Sequence, residues 1–532
     1  MAEFEEIVAL VAVVVAVSAL ARRIGVLAPI ALVVVGLGLS LVVDLHLHLS
    51  GSFVLVGILP PLLYVAALQI SVPAFRFNLR PILLLAVGLV AFTTAAVGFV
   101  LHALLPGVPL AICLALGAVV APPDAVAATA IARRIGLPRR LVTILEGESL
   151  LNDATALVLF RVTVAAAVGA AAGPWHIAGD FARAAGGGVL VGLLGAFVMG
   201  YLHQRTTDPL LDNTLSLLTP FAVTLVAEHV GASPVVAVVV TGLYLGHRLV
   251  VLKAAAFRLQ MRAFWKMVTF LLEGLVFLLV GLHLRDVTAG LDTPPATVAW
   301  LTAAVVGTAI AARIVWLYPA TYLARLIPRV RERDPAPPPT VPALLSWAGM
   351  RGVVTLATAI ALPTTLAGGA EYPRELFVWL AFATIVVTLV VQGTTLPAVA
   401  RWLRIPPDDA SADLLAEAGV QHDASRAAAR RLDELAGTAP AGVVARLREQ
   451  AAHRSNSAWE RLGAAGETPT RAYARLRLAM LAAEREVFRR ARDEGRIAEE
   501  VMARAQYDMD LEESLLLPRG GEEAAAGEER GS

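Results

Sequence analysis

Ionisable side chains inside long apolar stretches are the residues of this sequence that could do chemistry. Nine of them interrupt such stretches: Asp124, Glu146, Glu148, Asp153, Arg161, Glu228, Glu273, Arg313 and Arg351. A charge at the centre of a membrane-spanning helix costs at least about 2.5 kcal/mol, so such a residue usually faces a cavity and serves a function. A binding site or an ion pathway is therefore expected at these positions.

One face of an apolar segment presents four polar side chains, Glu148, Ser149, Asn152 and Asp153. At about 100° per residue these four fall within an arc of roughly 140° on a helix. Two carboxylates, an amide and a hydroxyl can ligate a hard monovalent cation, and a desolvated carboxylate can hold a proton instead. The alternative is a polar seam between helices, which would rarely need two acids.

Two further apolar segments carry a charge at a point where the helix should be interrupted. Asp124 follows Pro122 and Pro123, and two prolines remove backbone donors and force the preceding residues out of helical geometry. The second segment holds Arg351 between Gly349 and Gly352. Broken helices around a midplane site are typical of ion-coupled transporters, whereas a simple proline kink would not need the carboxylate.

Arg313 lies in the middle of another apolar segment, far from either end. An unpaired arginine there would be costly, so the side chain should face a carboxylate. Glu148 is the expected partner, and Glu146 is the alternative.

The elements that must position these residues are apolar stretches near the roughly 20 residues that cross a bilayer. We place about thirteen, at residues 7–21, 29–43, 53–70, 81–105, 109–132, 141–171, 184–203, 213–230, 233–247, 264–284, 297–320, 342–362 and 376–400. Arginine and lysine concentrate in alternate loops, which predicts an amino terminus outside the cell and a carboxyl tail in the cytoplasm.

The order of these stretches indicates an internal repeat. If the first six and the last six are two repeats, the interrupted fifth and twelfth stretches are equivalent and enter the membrane from opposite sides. The sequence thus predicts an all-α polytopic membrane protein with an inverted repeat of six helices and two discontinuous helices.

The charge distribution divides the chain. It is 57% hydrophobic and 16% charged overall, which is too apolar for an ordinary soluble protein. Residues 1 to 407 carry 19 acidic and 26 basic side chains, which leaves 24 and 18 for the last 125 residues. We predict a transmembrane domain at 1–405, a cytosolic helical regulatory domain at 406–517 and a disordered acidic tail at 518–532.

The same composition excludes several classes of protein. A soluble enzyme with one buried core does not fit the apolar part, and neither part has the basic surface that nucleic-acid binding requires. Cys113 is the one cysteine, so the chain has no internal disulfide and no cysteine cluster for a metal. In the tail, residues 470–481 and 484–502 have the pattern of two amphipathic helices, and no cofactor motif is present.

The run from Gly147 to Thr155, the interruption at Asp124 and the sequence Gly349-Met350-Arg351-Gly352 together resemble the bacterial branch of the monovalent cation:proton antiporters, the Na+/H+ exchanger family. The resemblance covers the whole membrane domain. It implies thirteen helices, divided into a dimerisation domain and a six-helix core, in a homodimer that works by an elevator-like movement.

The resemblance also implies roles for individual residues. Asp153 would be the carboxylate that binds cation or proton, with Ser149 and Asp124 as neighbouring ligands of the transported cation and Asn152 as a supporting amide. Glu148 and Arg313 would form a structural ion pair, and Arg351 would lie near the broken helix ends. Having Asn152 where electrogenic relatives have a second aspartate resembles the electroneutral type.

One position departs from the family pattern, because Pro123 stands where a threonine often precedes the aspartate of the break. The expected function is exchange of a monovalent cation for a proton across the plasma membrane, with Na+ expected and K+ or Li+ as alternatives. A cation channel or uniporter, or a membrane sensor with a signalling tail, are the competing functions. An enzyme with a bound cofactor is not expected.

Overall fold

The computed structural model of the chain describes residues 2–42, 53–169, 173–253, 255–369, 371–406, 408, 410–463 and 468–516. Within these ranges every regular element is helical and no strand occurs, so the predicted all-α class is confirmed. The chain divides into two compact units, Met1–Asp408 and Asp409–Ser532.

Twenty helices build the first unit. They are α1 (Ala2–Arg23), α2 (Ala28–Val42), α3 (Leu59–Gln69), α4 (Val72–Phe77), α5 (Leu79–Leu83), α6 (Val90–Leu104), α7 (Leu110–Val120), α8 (Ala125–Arg134), α9 (Arg139–Ala167), α10 (Gly173–Arg205), α11 (Pro209–His229), α12 (Pro234–Leu252), α13 (Ala255–Leu282), α14 (Leu284–Ala289), α15 (Pro295–Tyr322), α16 (Pro328–Arg333), α17 (Thr340–Trp347), α18 (Val353–Ile360), α19 (Arg374–Val387) and α20 (Gly393–Trp402), counted over the described ranges. Three π-helical segments join some of them, at Phe53–Ile58, Leu84–Leu89 and Thr388–Gln392.

Each of the thirteen predicted apolar stretches falls on one of these helices or on two consecutive ones. Seven helical stretches in the described ranges are long and apolar enough to cross a membrane: Leu79–Leu104, Arg139–Ala167, Ala182–Arg205, Pro209–His229, Phe257–Leu282, Pro295–Tyr322 and Arg374–Trp402. The number of crossings and the inverted repeat stay predictions.

Helix α9 lies at the centre of the first unit. Its side chains contribute to three separate apolar cores, through Ile144 to the first, Phe160 to the second, and Leu150 and Ala154 to the third. A helix surrounded by other helices presents polar groups to protein rather than to lipid, so α9 is well placed to carry a buried site.

Both predicted interruptions are present in the structure. The first separates α7 from α8 at residues 121–124, and the second separates α17 from α18 at residues 348–352. At the first, consecutive prolines end the helix, as expected from their missing N–H groups. Beside it, Gly117 of α7 packs so closely on the carbonyl of Thr94 in α6 that a Cβ would overlap it.

The second unit consists of two helical hairpins. Its helices are α21 (Ala410–Leu435), α22 (Ala441–Gly463), α23 (Pro469–Asp493) and α24 (Glu499–Leu516). Helices α23 and α24 are joined by Arg477, which binds Glu512 at 2.6 and 2.7 Å, and by Arg485, which binds Glu513 at 2.6 Å. The predicted acidic tail at 518–532 lies outside the described residues, as does residue 517.

The prediction of two separate helices at 470–481 and 484–502 is wrong. Helix α23 runs without interruption to Asp493, and the chain turns at Gly495, whose φ is +70°. A glycine adopts this left-handed conformation without steric penalty, so the turn forms there.

Candidate functional site

The two helix interruptions meet at one place. The backbone N–H of Asp124, in the first, donates to the carbonyl of Met350, in the second, over 2.7 Å. In the other direction, Nε of Arg351 donates to the carbonyl of Val120 over 3.0 Å. Each interruption therefore supplies a hydrogen-bond partner for a backbone group of the other. Such partners matter because little water is available inside a membrane.

Arg351 occupies the space between the broken helix ends and is 1% exposed. It donates from its side chain to the carbonyls of Val120 and Gly349, and its backbone N–H donates to Oγ1 of Thr388 over 3.0 Å. Carbonyls at the end of a helix carry partial negative charge. The guanidinium neutralises that charge at the end of α7 and ties the break to the π-helical segment that holds Thr388.

The polar face of α9 points at the first interruption. Nδ2 of Asn152 donates to the carbonyl of Pro123 over 2.9 Å, and the Asn152 side chain is fully buried. Asp153, the next residue, is 7% exposed and lines a cavity together with Ser149. Asn152 thus fastens α9 to the break, while its neighbour faces open space.

Glu148 lies on the same helix but is already paired. Its two carboxylate oxygens accept from Nη1 and Nη2 of Arg313 over 2.5 and 2.9 Å, and both residues are 1% exposed. Nε of Arg313 donates to the carbonyl of Leu345, near the end of α17, over 2.9 Å. This carboxylate is held by two charge-assisted bonds and is not available to a ligand.

The cavity has a volume of about 360 Å³. Its polar lining comes from Asp124, Arg133, Glu146, Ser149, Asp153, Thr269 and Glu273, among other residues. Glu146 binds Arg133 over 2.5 Å, so it is not the partner of Arg313. One wall of the cavity consists of α8, α9, α18 and the interruption, and the other of α3 and α13.

The remaining two intramembrane charges do not belong to this cavity. Arg161 and Glu228 are exposed, and neither lines it. In the described part of the chain, no group of three or more His, Cys, Asp and Glu side chains could hold a resident metal ion. Apart from Glu146, which Arg133 binds, the cavity offers the carboxylates of Asp124, Asp153 and Glu273 and the hydroxyl of Ser149, which suit a small cation or a proton.

Residues 8–402 match a family model described as "Sodium/hydrogen exchanger, transmembrane". The chain belongs to the sodium/hydrogen exchanger family. It is a membrane transporter for cations and protons and not an enzyme. The cavity and the two crossed helix interruptions are therefore features of a member of the exchanger family.

This exchanger is similar to proteins from several bacteria. It is 39% identical to an uncharacterized Na(+)/H(+) exchanger of Mycobacterium tuberculosis over 539 residues, 96% of each chain. It is 32% identical to a Na(+)/H(+) antiporter of Aphanothece halophytica, over 71% of this chain and 70% of the relative. It is 31% identical to the "sodium, potassium, lithium and rubidium/H(+) antiporter" of Bacillus subtilis, over 72% of this chain and 59% of the relative.

Among solved structures, the sodium proton antiporter MjNhaP1 from Methanocaldococcus jannaschii superimposes on this exchanger with a TM-score of 0.59. The identity is 16%, over 75% of this chain and 98% of the other. The two proteins share a fold.

Sequence reasoning missed two contacts of this site. Thr388 was not singled out, since a threonine in an apolar helix carries no signal of its own, yet it accepts the N–H of Arg351. The Pro123 carbonyl, which holds Asn152, could not be identified either, because every residue has such a group.

Proposed function

We propose that this exchanger moves one monovalent cation in one direction and one proton in the other, and that both bind in turn to Asp153. The observation that carries the proposal is the position of Asp153. Of the two α9 carboxylates that line the cavity, Glu146 is bound by Arg133, whereas Asp153 has Ser149 beside it and Asp124 of the first interruption lining the same space. Ser149 and Asp124 are the proposed neighbouring ligands.

Electroneutral exchange follows from the contacts of the other polar residues on the same face of α9 as Asp153. Both carboxylate oxygens of Glu148 are engaged by Arg313, so this side chain is not available to bind the transported ions. Position 152 holds an amide that cannot titrate and that donates to Pro123. One group on this face of α9 is then left to exchange a proton for a cation. One positive charge crosses in each direction.

Alternating access is supported by the two unlike walls of the cavity. The carboxylates Asp124 and Asp153 lie on the wall built from the interruption and α9. Besides Glu273, α3 and α13 contribute mostly apolar side chains, such as Leu59, Leu63 and Phe277. If the wall that carries Asp124 and Asp153 slides along the other wall, the site can open first to one side of the membrane and then to the other. In this scheme the protein is a homodimer, whose fixed part contains the apolar wall.

The cation is proposed to be Na+, with K+ and Li+ as alternatives. A relative from Bacillus subtilis is named for sodium, potassium, lithium and rubidium, so a site of this family can be permissive. Pro123 supplies no hydroxyl, and its carbonyl is engaged by Asn152. We further propose the plasma membrane as the location, with the arginine-rich loops and the carboxyl tail in the cytoplasm.

Reconstitution of the purified protein in sealed liposomes with a pH-sensitive dye inside tests the function. Addition of NaCl, KCl or LiCl outside should drive proton movement, whereas choline chloride should not. A membrane potential set with potassium and valinomycin should leave the Na+-driven rate nearly unchanged. A several-fold change with voltage would contradict electroneutral exchange, and cation flux that needs no proton movement would indicate a channel or uniporter instead.

A further inference from the structure

A second cavity lies away from the transport site, next to a cluster of three arginines around one aspartate. Asp334 binds Arg80 over 3.1 Å, Arg140 over 2.6 Å and Arg325 over 2.6 Å. Arg325 also donates to the carbonyls of Thr321 and Asp334, which leaves it 9% exposed and fully engaged. One negative charge faces three positive charges, so the formal net charge of the cluster is +2.

The cavity beside this cluster has a volume of about 220 Å³. Its floor is apolar and comes from α9, α15, α17 and the segment that precedes α6, with Leu84, Leu85, Leu141, Ile144, Leu317 and Leu345. Arg80, Arg140 and Arg325 line its other side. An apolar slot with arginines at one end fits a molecule that has an anionic group joined to a hydrocarbon chain.

Two of the arginines keep donors for such a group. Arg80 is bonded through Nη2 alone, and its Nε is buried without a hydrogen-bond partner among the described residues. Arg140 donates from Nε to Asn78 and from Nη2 to Asp334. A buried guanidinium donor that lacks a partner is costly, and an incoming phosphate oxygen would relieve that cost.

At this cavity, Arg80 and Arg140 lie at the starts of two helical stretches that are long and apolar enough to cross a membrane, Leu79–Leu104 and Arg139–Ala167. Tyr322 lies at the end of a third, Pro295–Tyr322, so the opening of the cavity is expected near lipid headgroups. Tyr318 and Tyr322 hydrogen-bond to the carbonyls of Pro339 and Pro337 beside it. Large apolar side chains close in sequence to Arg80 and Arg325 are exposed: Phe77, Leu79, Leu83, Leu323 and Leu326. Tyrosines and exposed apolar residues next to arginines are typical of a membrane interface.

We propose that this cavity binds an anionic phospholipid, with the headgroup phosphate between Arg80 and Arg140 and an acyl chain along Leu84 and Leu317. Asp334 orients the arginines and limits their excess charge. The lipid site is separate from the transport cavity. The proposal depends on this part of the chain lying in a membrane and does not depend on the proposed transport mechanism.

Thermal unfolding of the full-length protein in detergent tests the proposal. Added phosphatidylglycerol should raise the unfolding temperature by several degrees more than phosphatidylcholine of the same acyl composition. The Arg80→Gln/Arg140→Gln double variant should lose most of that extra rise. The matched control is Arg76→Gln/Arg329→Gln, which removes two exposed arginines from α4 and α16 and should keep it.

Two further measurements separate this proposal from its rivals. Ala320→Phe fills the apolar slot and keeps all charges, so it should also lose the extra rise, and it decides the question if the arginine variant does not fold. Millimolar inorganic phosphate should have no effect. An equal rise with phosphate would show a soluble-anion site, and an equal loss in the control variant would show general attraction of a basic face. Either result would overturn the proposal, as would an unchanged rise in Ala320→Phe.

Discussion

Asp153 is the residue on which the proposed exchange depends. Its substitution by asparagine keeps the size of the side chain and much of its hydrogen bonding but removes the group that can release a proton. We expect Asp153→Asn to fold and to lose cation-driven proton movement in liposomes. Asp153→Glu keeps the charge but moves it by about one methylene, so it should retain partial activity with a weaker apparent affinity for the cation.

The comparison variant for Asp153 is Ser149→Ala, which removes a hydroxyl from the same cavity but leaves its carboxylates, including Asp153 and Asp124. It should weaken the apparent cation affinity and preserve exchange. Robust exchange by Asp153→Asn would remove Asp153 from the mechanism and direct attention to Asp124, the other carboxylate near the interruption.

The buried pair of Glu148 and Arg313 makes a prediction about stability. Removing one partner leaves the other charge buried and unpaired, at a loss of about 3 to 5 kcal/mol. Glu148→Ala and Arg313→Ala should therefore each lower the unfolding temperature more than Ser149→Ala does. The double variant should lose less than the sum of the two, since the second substitution removes a charge that is already stranded. Thermal unfolding of the original protein and these four variants in detergent measures this coupling.

Single residues differ in how far they could be predicted from sequence. The partner of Arg313 could be inferred because a buried arginine needs a carboxylate and few were available: Glu148 was the expected partner and Glu146 the alternative, and the structure shows Glu148. The contacts of Asn152 and Arg351 with backbone carbonyls could not, because carbonyls are present at every position. Charge thus predicts side-chain pairs well and side-chain to backbone contacts poorly.

At the scale of the helices, the crossing of the two interruptions depends on a glycine. Gly352 has φ of −137°, a conformation open to any residue, but a Cβ there would overlap the carboxylate of Asp124. We expect Gly352→Ala to push Asp124 and the two breaks apart and to reduce the exchange rate at least tenfold, which corresponds to about 1.4 kcal/mol.

The matched control for Gly352→Ala is Gly307→Ala in α15, where a Cβ would meet nothing within 4 Å. That variant should exchange at the original rate, because alanine is favoured over glycine inside a helix. Rates measured in liposomes with equal amounts of protein compare the two. Normal exchange by Gly352→Ala would show that the close approach of α18 to Asp124 is not needed.

Helix interruptions were predictable where the sequence contains residues that break helices. Pro122 and Pro123 mark the first interruption, and Gly349 and Gly352 the second. The π-helical segment Thr388–Gln392 contains no such residue, so its sequence does not predict a change of helix type. In the tail, the residues between the two predicted helices are Ala482 and Ala483, and alanine continues a helix readily, so α23 is not interrupted there.

For the whole molecule, the pH dependence of stability is set partly by the arginine cluster outside the membrane spans. Burial alone would raise the pKa of Asp334, but hydrogen bonds from Arg140 and Arg325 outweigh it and hold the pKa below its ordinary value. Such a carboxyl stabilises the fold above the pKa it has in the unfolded chain, and the contribution is lost as pH falls through the folded pKa.

The difference in unfolding temperature between the original protein and Asp334→Asn should therefore be constant from about pH 9 to 6. It should shrink only below about pH 4, near the ordinary pKa of an aspartate. Thermal unfolding in detergent across this range measures it. A difference that disappears at pH 6 would show that the three arginines do not hold Asp334 ionised.

Transport should respond to pH in a different range, since its proton-binding group is the proposed transport site. High proton concentration displaces the cation from Asp153, and low proton concentration removes the second substrate of the exchange. The rate should therefore follow a bell from about pH 6 to about 9, with an acid limb that moves to lower pH as more Na+ is supplied. Asp334→Asn is the control, because Asp334 stays ionised throughout this range and its loss should leave the acid limb in place. Dye-based rates in liposomes at several Na+ concentrations decide between competition and a separate pH sensor. An acid limb that does not move with Na+ would mean that the proton acts at a group other than the cation site.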